Sequence, residues 1–405
     1  MVWQRILSAL RLRLCLLVDF LVIRLVKRSL LTPPKALLVR LDAIGDYVLF
    51  RNTLTELEGR GAYLNHEFYL CGNEVWQELH EFLDKSFLKG TFFINRRHFL
   101  ENPFYRYRWQ AAIRRMGFDV VIEPTHSRLW LLGDAICRVT GAPERVADFG
   151  NTDNVMPKDK TTADSYFTHL VASSSQILFE FERNKRFAEK ALKIYTSQTW
   201  PFLKAEQTQK VQELQQKKVS EIGLSQQPYL ALFAGASEAY KRWPVEYFAA
   251  CAQLLTQKTK LQTVVLLGAP DDATRNAQLA KLLDSSIHTI DMSGKTTLSE
   301  LLGIISGAAL LVTNETSAVH LAVLAQTKCV CLANGRHLGR FSPYVPQPPF
   351  LAYFFPPQIQ EAIGLYGLSD ALKAQYCQSM GLDIKDIAAE EVSAAAMRLL
   401  GVDSA

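Results

Sequence analysis

The chain has 405 residues, of which 48% are apolar and 21% are charged. This length and balance predict two globular domains with sizeable cores, and they exclude a disordered chain or a small disulfide-stapled scaffold. The seven cysteines are scattered without a C-x-x-C pair, which suits neither a zinc knuckle nor a secreted disulfide framework and favours a reducing cytosol. Cys329 and Cys331 share one face of a predicted strand and are expected to be buried apolar side chains.

The net charge of +5 is concentrated at the start of the chain. The first 35 residues carry seven Lys or Arg and one Asp, so the remaining residues sum to −1. A neutral body gives no reason to expect a broad nucleic-acid interface.

Residues 1–31 are apolar segments interrupted by basic side chains, and Pro33 and Pro34 end any helix there. The uncharged runs fall short of the roughly 20 residues that span a bilayer, and no small-residue cleavage site follows. We predict a helix at a membrane surface, with Trp3, Phe20 and the leucines in the acyl boundary and the arginines on anionic headgroups. The alternative is a helix packed on the protein's own body.

From Ala36 onward, short apolar runs alternate with amphipathic stretches, the pattern of parallel α/β domains. In the first half the pattern predicts strands over 36–41 and 119–123 and helices over 47–58 and 129–140. In the second half it predicts strands over 229–233, 263–267, 287–291, 308–313 and 328–332, and helices over 245–257, 272–283, 298–306 and 318–325. The charged stretch 179–225 has no strand pattern and is expected to be helical.

Ligands of such sheets bind beyond the carboxyl ends of the strands, so the loops there should carry the chemistry. The first loop, residues 40–46, reads RLDAIGD. Gly45 permits a turn conformation that other residues avoid, and Asp46 stands at the start of the following helix. The Asp46 carboxylate is either a general base for a substrate hydroxyl or only a helix cap.

The second loop, residues 235–244, reads GASEAYKRWP and places two cations before a helix. Lys241 and Arg242, next to small residues such as Ser237, predict an anion site that suits a phosphate group. Solvated cations are the alternative. Trp243 is expected to belong to the core.

The third loop, residues 314–320, reads NETSAVH, and its hydroxyl residues open a helix. Helix-terminal amides at Thr316 and Ser317 predict a second phosphate cradle. His320, one turn further on, is either functional or a hydrogen-bonded structural group.

Several signatures are absent from the sequence. There is no G-x-G-x-x-G after a strand, no P-loop and no D-x-D for a metal-bound diphosphate. Cationic side chains and helix ends would have to balance the charge of any nucleoside diphosphate.

Four motifs in order resemble those of glycosyltransferase family 9, the lipopolysaccharide heptosyltransferases. They are RLDAIGD at 40–46, GAS with KRWP at 235–244, SGKTTL at 293–298 and NETSAVHLA at 314–322. The resemblance covers roughly residues 36–345. It implies a GT-B fold, with two Rossmann-like doubly wound parallel-sheet domains that face a central cleft.

The resemblance also implies an inverting, metal-independent glycosyltransferase without a cofactor. Its donor would be a nucleotide sugar, ADP-heptose in the family, and its acceptor a lipid A-core oligosaccharide at the cytoplasmic face of the inner membrane. The implied organisation has five parts. They are a membrane-surface helix (1–35), an acceptor domain (36–205), a linker (206–225), a donor domain (226–375) and a C-terminal helical segment (376–405).

By motif position, Asp46 resembles the general base and Lys241 the group that stabilises the departing diphosphate. The resemblance further implies that donor-binding residues are Gly45, Ser237, Arg242, Thr296, Glu315, Thr316, Ser317 and His320. Looser analogy puts Asp271 and Thr296 near the base and ribose, and Ser127 and Arg128 near the acceptor, although each also suits ordinary loop surface.

Two residues depart from the family pattern, which usually has Asp-(Ser/Thr)-Gly where this chain has Glu315, Thr316 and Ser317. Glu315 is one methylene longer, and Ser317 adds a Cβ where close phosphate approach favours glycine. These departures keep open a non-catalytic nucleotide-sugar-binding protein of the same fold. A nucleotide-sugar epimerase or hydrolase is a third interpretation.

Overall fold

We analysed a computed structural model of the chain. It describes residues 2–29, 33–57, 61–174, 176–224, 227–377 and 379–402, with side chains described from residue 10 onward. The chain divides into two compact units. The first comprises residues 1–175 and 183–197, and the second comprises residues 176–182 and 198–405.

The first unit is built on a sheet of six parallel strands in its described part. They are β1 (Lys35–Arg40), β2 (Glu67–Asn73), β3 (Gly90–Ile94), β4 (Val120–Glu123), β5 (Glu144–Asp148) and β6 (His169–Val171). Their order is β3-β2-β1-β4-β5-β6, the doubly wound order in which the chain reverses direction between the first and fourth strands.

Seven α-helices of the described chain lie wholly in this unit. They are α1 (Val2–Leu25), α2 (Ile44–Thr55), α3 (Gln77–Leu83), α4 (Arg96–Glu101), α5 (Pro103–Arg115), α6 (Ala135–Thr140) and α7 (Pro157–Asp164). The short helix α8 (Glu180–Phe187) is divided between the units: its residues up to 182 belong to the second unit, and those from 183 belong to the first. The core of the unit is apolar and lies between the sheet and its helices, with Leu37, Val121 and Ile136 fully buried.

The second unit repeats this architecture with a second sheet of six parallel strands among its described residues. They are β7 (Tyr229–Phe233), β8 (Thr263–Leu267), β9 (His288–Asp291), β10 (Leu310–Asn314), β11 (Cys329–Leu332) and β12 (Leu351–Phe354). Their order, β12-β11-β10-β7-β8-β9, is the same doubly wound order, and the reversal falls between β7 and β10.

Helices again follow the strands. They are α9 (Ala205–Glu221), α10 (Val245–Lys258), α11 (Ala273–Leu282), α12 (Leu298–Gly307), α13 (Ser317–Ala325), α14 (Pro357–Tyr366), α15 (Asp370–Tyr376) and α16 (Ala389–Leu400). Strands β7, β8, β10 and β11 are buried along their whole length, because helices cover both faces of the sheet. Cys329 and Cys331 are buried in β11, as predicted.

The α/β class and the parallel doubly wound sheets predicted from the sequence are confirmed. All five strands predicted in the second half occur within two residues of their predicted bounds. β2, β3, β5 and β6 in the first half and β12 in the second half were not predicted. The predicted helix 129–140 begins with a π-helical turn over Trp130–Asp134 before α6, and the predicted helix 47–58 begins earlier, at Ile44, with Glu58 outside the described residues.

Two segments that the sequence set apart from the donor domain lie in the second unit. Most of the expected linker 206–225 forms the regular helix α9, which belongs to the second unit and packs on α12. The C-terminal segment also belongs to the second unit, since Val392 and Ala396 of α16 lie in its apolar core.

Helix α1 packs with one face on the first unit. Val18 and Val22 contact Ala111 and Val139 in a small apolar cluster. Asp19 is buried against this face, where Arg106 Nε donates to its Oδ1 at 2.7 Å. This face of α1 is therefore packed on the protein's own body, as the alternative to a membrane-surface helix expected.

The opposite face of α1 is exposed, and it carries large apolar side chains: Leu10, Leu14, Leu17, Phe20, Leu21 and Leu25. The side chains of Trp3 and Arg5, and the whole of Thr32, lie outside the described residues. Across the described ranges, no helix is long and apolar enough to cross a membrane.

Candidate functional site

In the second unit the strand order reverses between β7 and β10, and the carboxyl ends of these strands are the place where a crevice is expected in such a sheet. Asn314, the last residue of β10, is fully buried at this point. Its Nδ2 donates to the carbonyl oxygens of Ala234 at 2.8 Å and Gly235 at 3.2 Å. Its Oδ1 accepts from the backbone N–H of Trp243 at 3.0 Å. One buried amide therefore fixes both ends of the loop after β7 beside the start of α13.

Glycine is required at the beginning of the loop after β7. A Cβ on Gly235 would lie 2.3 Å from Oδ2 of Asp272, a carboxylate that accepts from the backbone N–H of Ala269 at 2.9 Å. Because this carboxylate is held in place, a side chain at Gly235 would displace the loop.

The rest of this loop carries the two predicted cations and the predicted core residue. Lys241 is half-buried, whereas Ser237 is exposed. Arg242 Nε donates to the carbonyl oxygen of Ala236 at 2.9 Å, so this side chain braces the loop from within. Trp243 is fully buried and its Nε1 donates to the carbonyl oxygen of Ile387, which confirms it as a core residue.

Thr316 and Ser317 open α13 at the other side of the crevice. Thr316 is the N-cap, and its Oγ1 accepts from the backbone N–H of Ala318 at 3.2 Å. Both residues are half-buried. The helix dipole and the amides of this first turn favour an anion here.

Glu315 adds a carboxylate to the same crevice. Its side chain is 9% exposed, and its Oε2 lies 3.7 Å from Nδ1 of His337. Ser342 Oγ donates to its Oε1. Burial acts to raise the pKa of Glu315, but His337, Lys241 and Ser342 outweigh burial and lower it to about 2. The carboxylate is therefore ionised and is held by its neighbours.

His320 is a hydrogen-bonded structural group, which is one of the two alternatives expected from the sequence. It is buried, and its Nδ1 lies 2.7 Å from the hydroxyl of Tyr344. Burial lowers its pKa to about 4, despite the opposing charge of Glu315, so the imidazole is neutral near pH 7. A neutral buried ring adds no positive charge to a phosphate site, and the structure does not favour the donor contact expected for His320.

Thr296 and Asp271 lie in neighbouring loops of the second unit. Thr296 is half-buried and precedes Thr297, the N-cap of α12. Asp271 is exposed in a short turn before α11.

In the first unit, the reversal point lies at the carboxyl ends of β1 and β4. Asp46 is in the first turn of α2 and is half-buried. Its Oδ2 accepts from the backbone N–H of Ala43 at 3.3 Å. Gly45 lies inside α2 with helical backbone, so the prediction of an unusual turn conformation at this glycine is wrong.

Buried acids surround this first reversal point. Glu123 ends β4, and burial, with the charge of Asp134, raises its pKa to about 8. Burial raises the pKa of Asp134 to about 6, although Arg128 opposes the shift. Arg40 Nε lies 2.7 Å from Oδ2 of Asp42, so the adjacent cation is paired with a carboxylate.

The expected acceptor contacts of Ser127 and Arg128 are not supported by their positions. Arg128 is buried, forms an ion pair with Asp164 and stacks over the ring of Phe167 at 4.8 Å. Ser127 is also buried, and its Oγ donates to Asp153 at 3.2 Å. Contact of Ser127 Oγ or Arg128 Nη2 with an acceptor would require breaking these internal bonds, whereas Nε and Nη1 of Arg128 are buried without a hydrogen-bond partner.

Residues 335–344 also contribute to the site, although the sequence did not predict them there. This loop follows β11, which neighbours β10, and it brings His337, Ser342 and Tyr344 to the crevice. The signal was available, since 328–332 was predicted as a strand and the loop after it belongs to the same sheet edge. Within the described parts of the chain, no group of three or more His, Cys, Asp or Glu is arranged to hold a metal ion.

Comparisons with known proteins agree with this architecture. The family model for glycosyltransferase family 9 (heptosyltransferase) matches residues 107–348. Lipooligosaccharide heptosyltransferase 2 of Haemophilus influenzae is 25% identical over 135 residues, which cover 33% of this chain and 38% of that protein. The matched segment thus spans well under half of the curated relative.

Two solved structures share the fold over most of the chain. The glycosyl transferase family 9 protein of Veillonella parvula superposes with a TM-score of 0.68 at 18% identity and covers 93% of this chain and 100% of its own. The E. coli heptosyltransferase WaaC with ADP gives a TM-score of 0.66 at 15% identity, over 90% of this chain and 99% of its own. At these identities the likeness shows the two-domain α/β fold.

Proposed function

The chain belongs to glycosyltransferase family 9, and we propose that it transfers a heptose or related sugar from an ADP-sugar to a lipopolysaccharide core acceptor. The reaction would be inverting and metal-independent. The observation that carries the proposal is the crevice between β7 and β10, where Asn314 fixes the Lys241 loop beside the N-terminus of α13. The names of two similar proteins, a heptosyltransferase and a heptosyltransferase with ADP, support this donor class.

In the proposed reaction the second unit binds the leaving group. The bond between the anomeric carbon and the diphosphate oxygen breaks, and negative charge develops on the nucleoside diphosphate. Lys241 and the amides at Thr316 and Ser317 would meet this charge. Arg242 braces the loop that carries Lys241, which suits a positioning role better than direct contact.

The first unit would supply the base. Asp46 takes the proton of the acceptor hydroxyl as its oxygen attacks the anomeric carbon from the face opposite the diphosphate. Its position in the first turn of α2 supports this assignment, because the helix holds the carboxylate in a defined direction without burying it.

A nucleotide-sugar panel tests the proposed function. Purified protein is incubated with ADP-, UDP- and GDP-sugars, with and without lipid A-core oligosaccharide and with a chelator. We expect transfer from an ADP-sugar that requires the acceptor and survives chelation. Donor turnover without acceptor would instead indicate an epimerase or hydrolase.

A non-catalytic binding protein is the second candidate, and the engaged Glu315 favours it, because Oε1 of this carboxylate already accepts from Ser342 Oγ. Donor binding without transfer to any core acceptor in the same panel would establish it.

We further propose that α1 holds the protein peripherally at the cytoplasmic face of the inner membrane, where a lipid-linked acceptor is presented. The exposed face of α1 combines large apolar side chains with Arg11, Arg13 and Arg24, which are also exposed, and exposed Lys27 lies two residues beyond the end of the helix. The acid of this helix, Asp19, is turned inward and paired with Arg106. Such a face matches anionic lipid, whereas a second copy would place arginine against arginine.

Vesicle flotation tests this membrane surface. The wild-type protein should float with vesicles containing phosphatidylglycerol, less so at high salt, and not with pure phosphatidylcholine. The variant with Leu17→Glu and Leu21→Glu should stay at the bottom. Leu282→Glu on α11, an exposed leucine of the second unit, is the matched control and should float. Equal flotation of the α1 variant would refute the role.

A further inference from the structure

Residues 335–344 bring a histidine between the two opposite charges of the proposed donor site. Gly335 begins this loop at φ +89°, a backbone conformation that other residues rarely adopt. His337 follows, and its Nδ1 lies 3.4 Å from Nζ of Lys241 and 3.7 Å from Oε2 of Glu315. The imidazole is 29% exposed, so it is accessible to solvent protons.

One ring nitrogen cannot serve both neighbours at once. When Nδ1 is unprotonated it accepts a hydrogen bond from the Lys241 ammonium, and when it is protonated it donates to the Glu315 carboxylate. The presence or absence of a proton on Nδ1 therefore decides which neighbour His337 binds.

The position of the Glu315 carboxylate suits the arrangement in which His337 donates to it. Ser342 donates to its other oxygen, Oε1, which leaves Oε2 directed at the imidazole. The extra methylene of Glu315, relative to the Asp usual in the family motif, extends the carboxylate toward the 335–344 loop. Glu315, which departs from the family motif, therefore has a hydrogen-bond partner in this loop, Ser342.

The other charges around His337 are paired. Arg336 of the same loop binds Glu238 of the loop after β7 at 3.2 Å, and Arg340 binds Glu180 at 3.3 Å. The edge of Phe341 packs on the ring of His337. Lys241 and Glu315 are therefore the charges that decide the response of His337 to an arriving anion.

We propose that His337 is a positioning residue that holds the Lys241 ammonium before the donor binds and exchanges it for Glu315 when a nucleoside diphosphate arrives. Lys241 then turns to the diphosphate, and Nδ1 of His337 takes up a proton from solvent and donates it in a hydrogen bond to Glu315. The N–H bond formed on Nδ1 is the one covalent bond that changes in this step, and its proton comes from solvent. The inference rests on the proposed function, because it assigns the diphosphate to the Lys241 crevice.

Calorimetric titration with ADP, UDP and GDP at pH 7, in two buffers of different ionisation enthalpy, measures both affinity and proton uptake. The wild-type protein should take up a fraction of a proton per ADP bound. His337→Ala should abolish this uptake and weaken ADP binding roughly tenfold, the effect of losing one charge-assisted contact. His288→Ala, an exposed histidine at the start of β9, is the matched control and should match wild type.

His337→Asn separates positioning from simple loss of packing. The Asn amide occupies the region of Nδ1 and keeps one hydrogen bond, but it carries no titratable proton. This variant should retain most of the ADP affinity and show no proton uptake. Wild-type proton uptake in His337→Asn or in His337→Ala would overturn the inference.

The outcomes also separate this inference from the proposed function. If the wild-type protein binds ADP and the His337 variants are indistinguishable from it, the inference fails and the proposed function stands. If the wild-type protein binds none of the three nucleoside diphosphates, the proposed function fails and the inference falls with it.

Discussion

The two units share one strand order, but the reversal points of their sheets carry opposite chemistry. In the first unit, acids collect there: Asp42, Asp46, Glu123 and Asp134, while Arg40 is paired with one of them. In the second unit, Lys241, Arg242, His337 and the first turn of α13 collect at the equivalent place, and Glu315 is held by its neighbours.

This contrast shows that the topology supplies the crevice and the loop residues decide what enters it. A parallel doubly wound sheet opens at the carboxyl ends of its reversal strands, whatever its sequence. Carboxylates at that opening suit a hydroxyl that loses its proton, whereas cations and helix amides suit a diphosphate. The two units thus divide base and leaving-group roles between them in our proposal.

The largest effect should come from removing the base of the first unit. Asp46→Asn keeps an oxygen for the backbone N–H of Ala43 but loses its basicity, so kcat should fall about 10²–10⁴-fold with ADP affinity unchanged. Glu300→Gln, at the same capping position of α12, is the matched control and should leave kcat unaltered. Turnover of Asp46→Asn within a few-fold of wild type would assign Asp46 to capping alone.

The next effect should come from the cation of the second unit. Lys241→Met should lower kcat by roughly 10²–10³-fold, as expected for loss of one group that stabilises developing charge, and should also weaken ADP binding. Lys281→Met, an exposed lysine on α11, serves as the control. Steady-state kinetics and ADP titration measure both quantities, and unchanged kinetics of Lys241→Met would remove Lys241 from the site.

The smallest effect concerns stability and the buried acid of the first unit. The folded pKa of Glu123, about 8, lies above its ordinary value of 4.5, so the folded state binds more protons between these values. Its stabilising contribution is complete below pH 4.5 and is lost as the pH rises through 8. Glu123→Gln should remove this dependence and raise stability at pH 8.5 by on the order of 1–3 kcal/mol, with little change at pH 4.5.

Thermal unfolding of wild type and Glu123→Gln at the two pH values measures this difference. Gly133 leaves room for the substituted amide, because a Cβ there would approach Oε2 of Glu123 to 2.2 Å and glycine has none. Parallel pH profiles for the two proteins would show that Glu123 does not titrate in this range.

The sequence predicted the second unit better than the first for a physical reason. Strands β7, β8, β10 and β11 are buried on both faces and appear as continuous apolar runs. Two of the missed strands are less distinctive: β5 contains Glu144, Arg145 and Asp148, and β6 has three residues. Their identity as strands depends on pairing with distant neighbours, which a local pattern does not contain.

The candidate site was predictable only in part for a similar reason. Loop order and helix starts pointed to Asp46, Lys241, Thr316 and Ser317 before the fold was known. The burial of Arg128 and His320 depends on partners far along the chain, Asp164 and Tyr344. His337 lies 96 residues from Lys241, so its contact required the neighbouring positions of β10 and β11 in the sheet.

The most direct test of the account is a crystal structure of the protein with ADP bound. The account predicts the diphosphate in the second unit, within hydrogen-bond distance of Lys241 and of the backbone amides at Thr316 and Ser317. A diphosphate bound instead at the acidic ends of β1 and β4 in the first unit would contradict it.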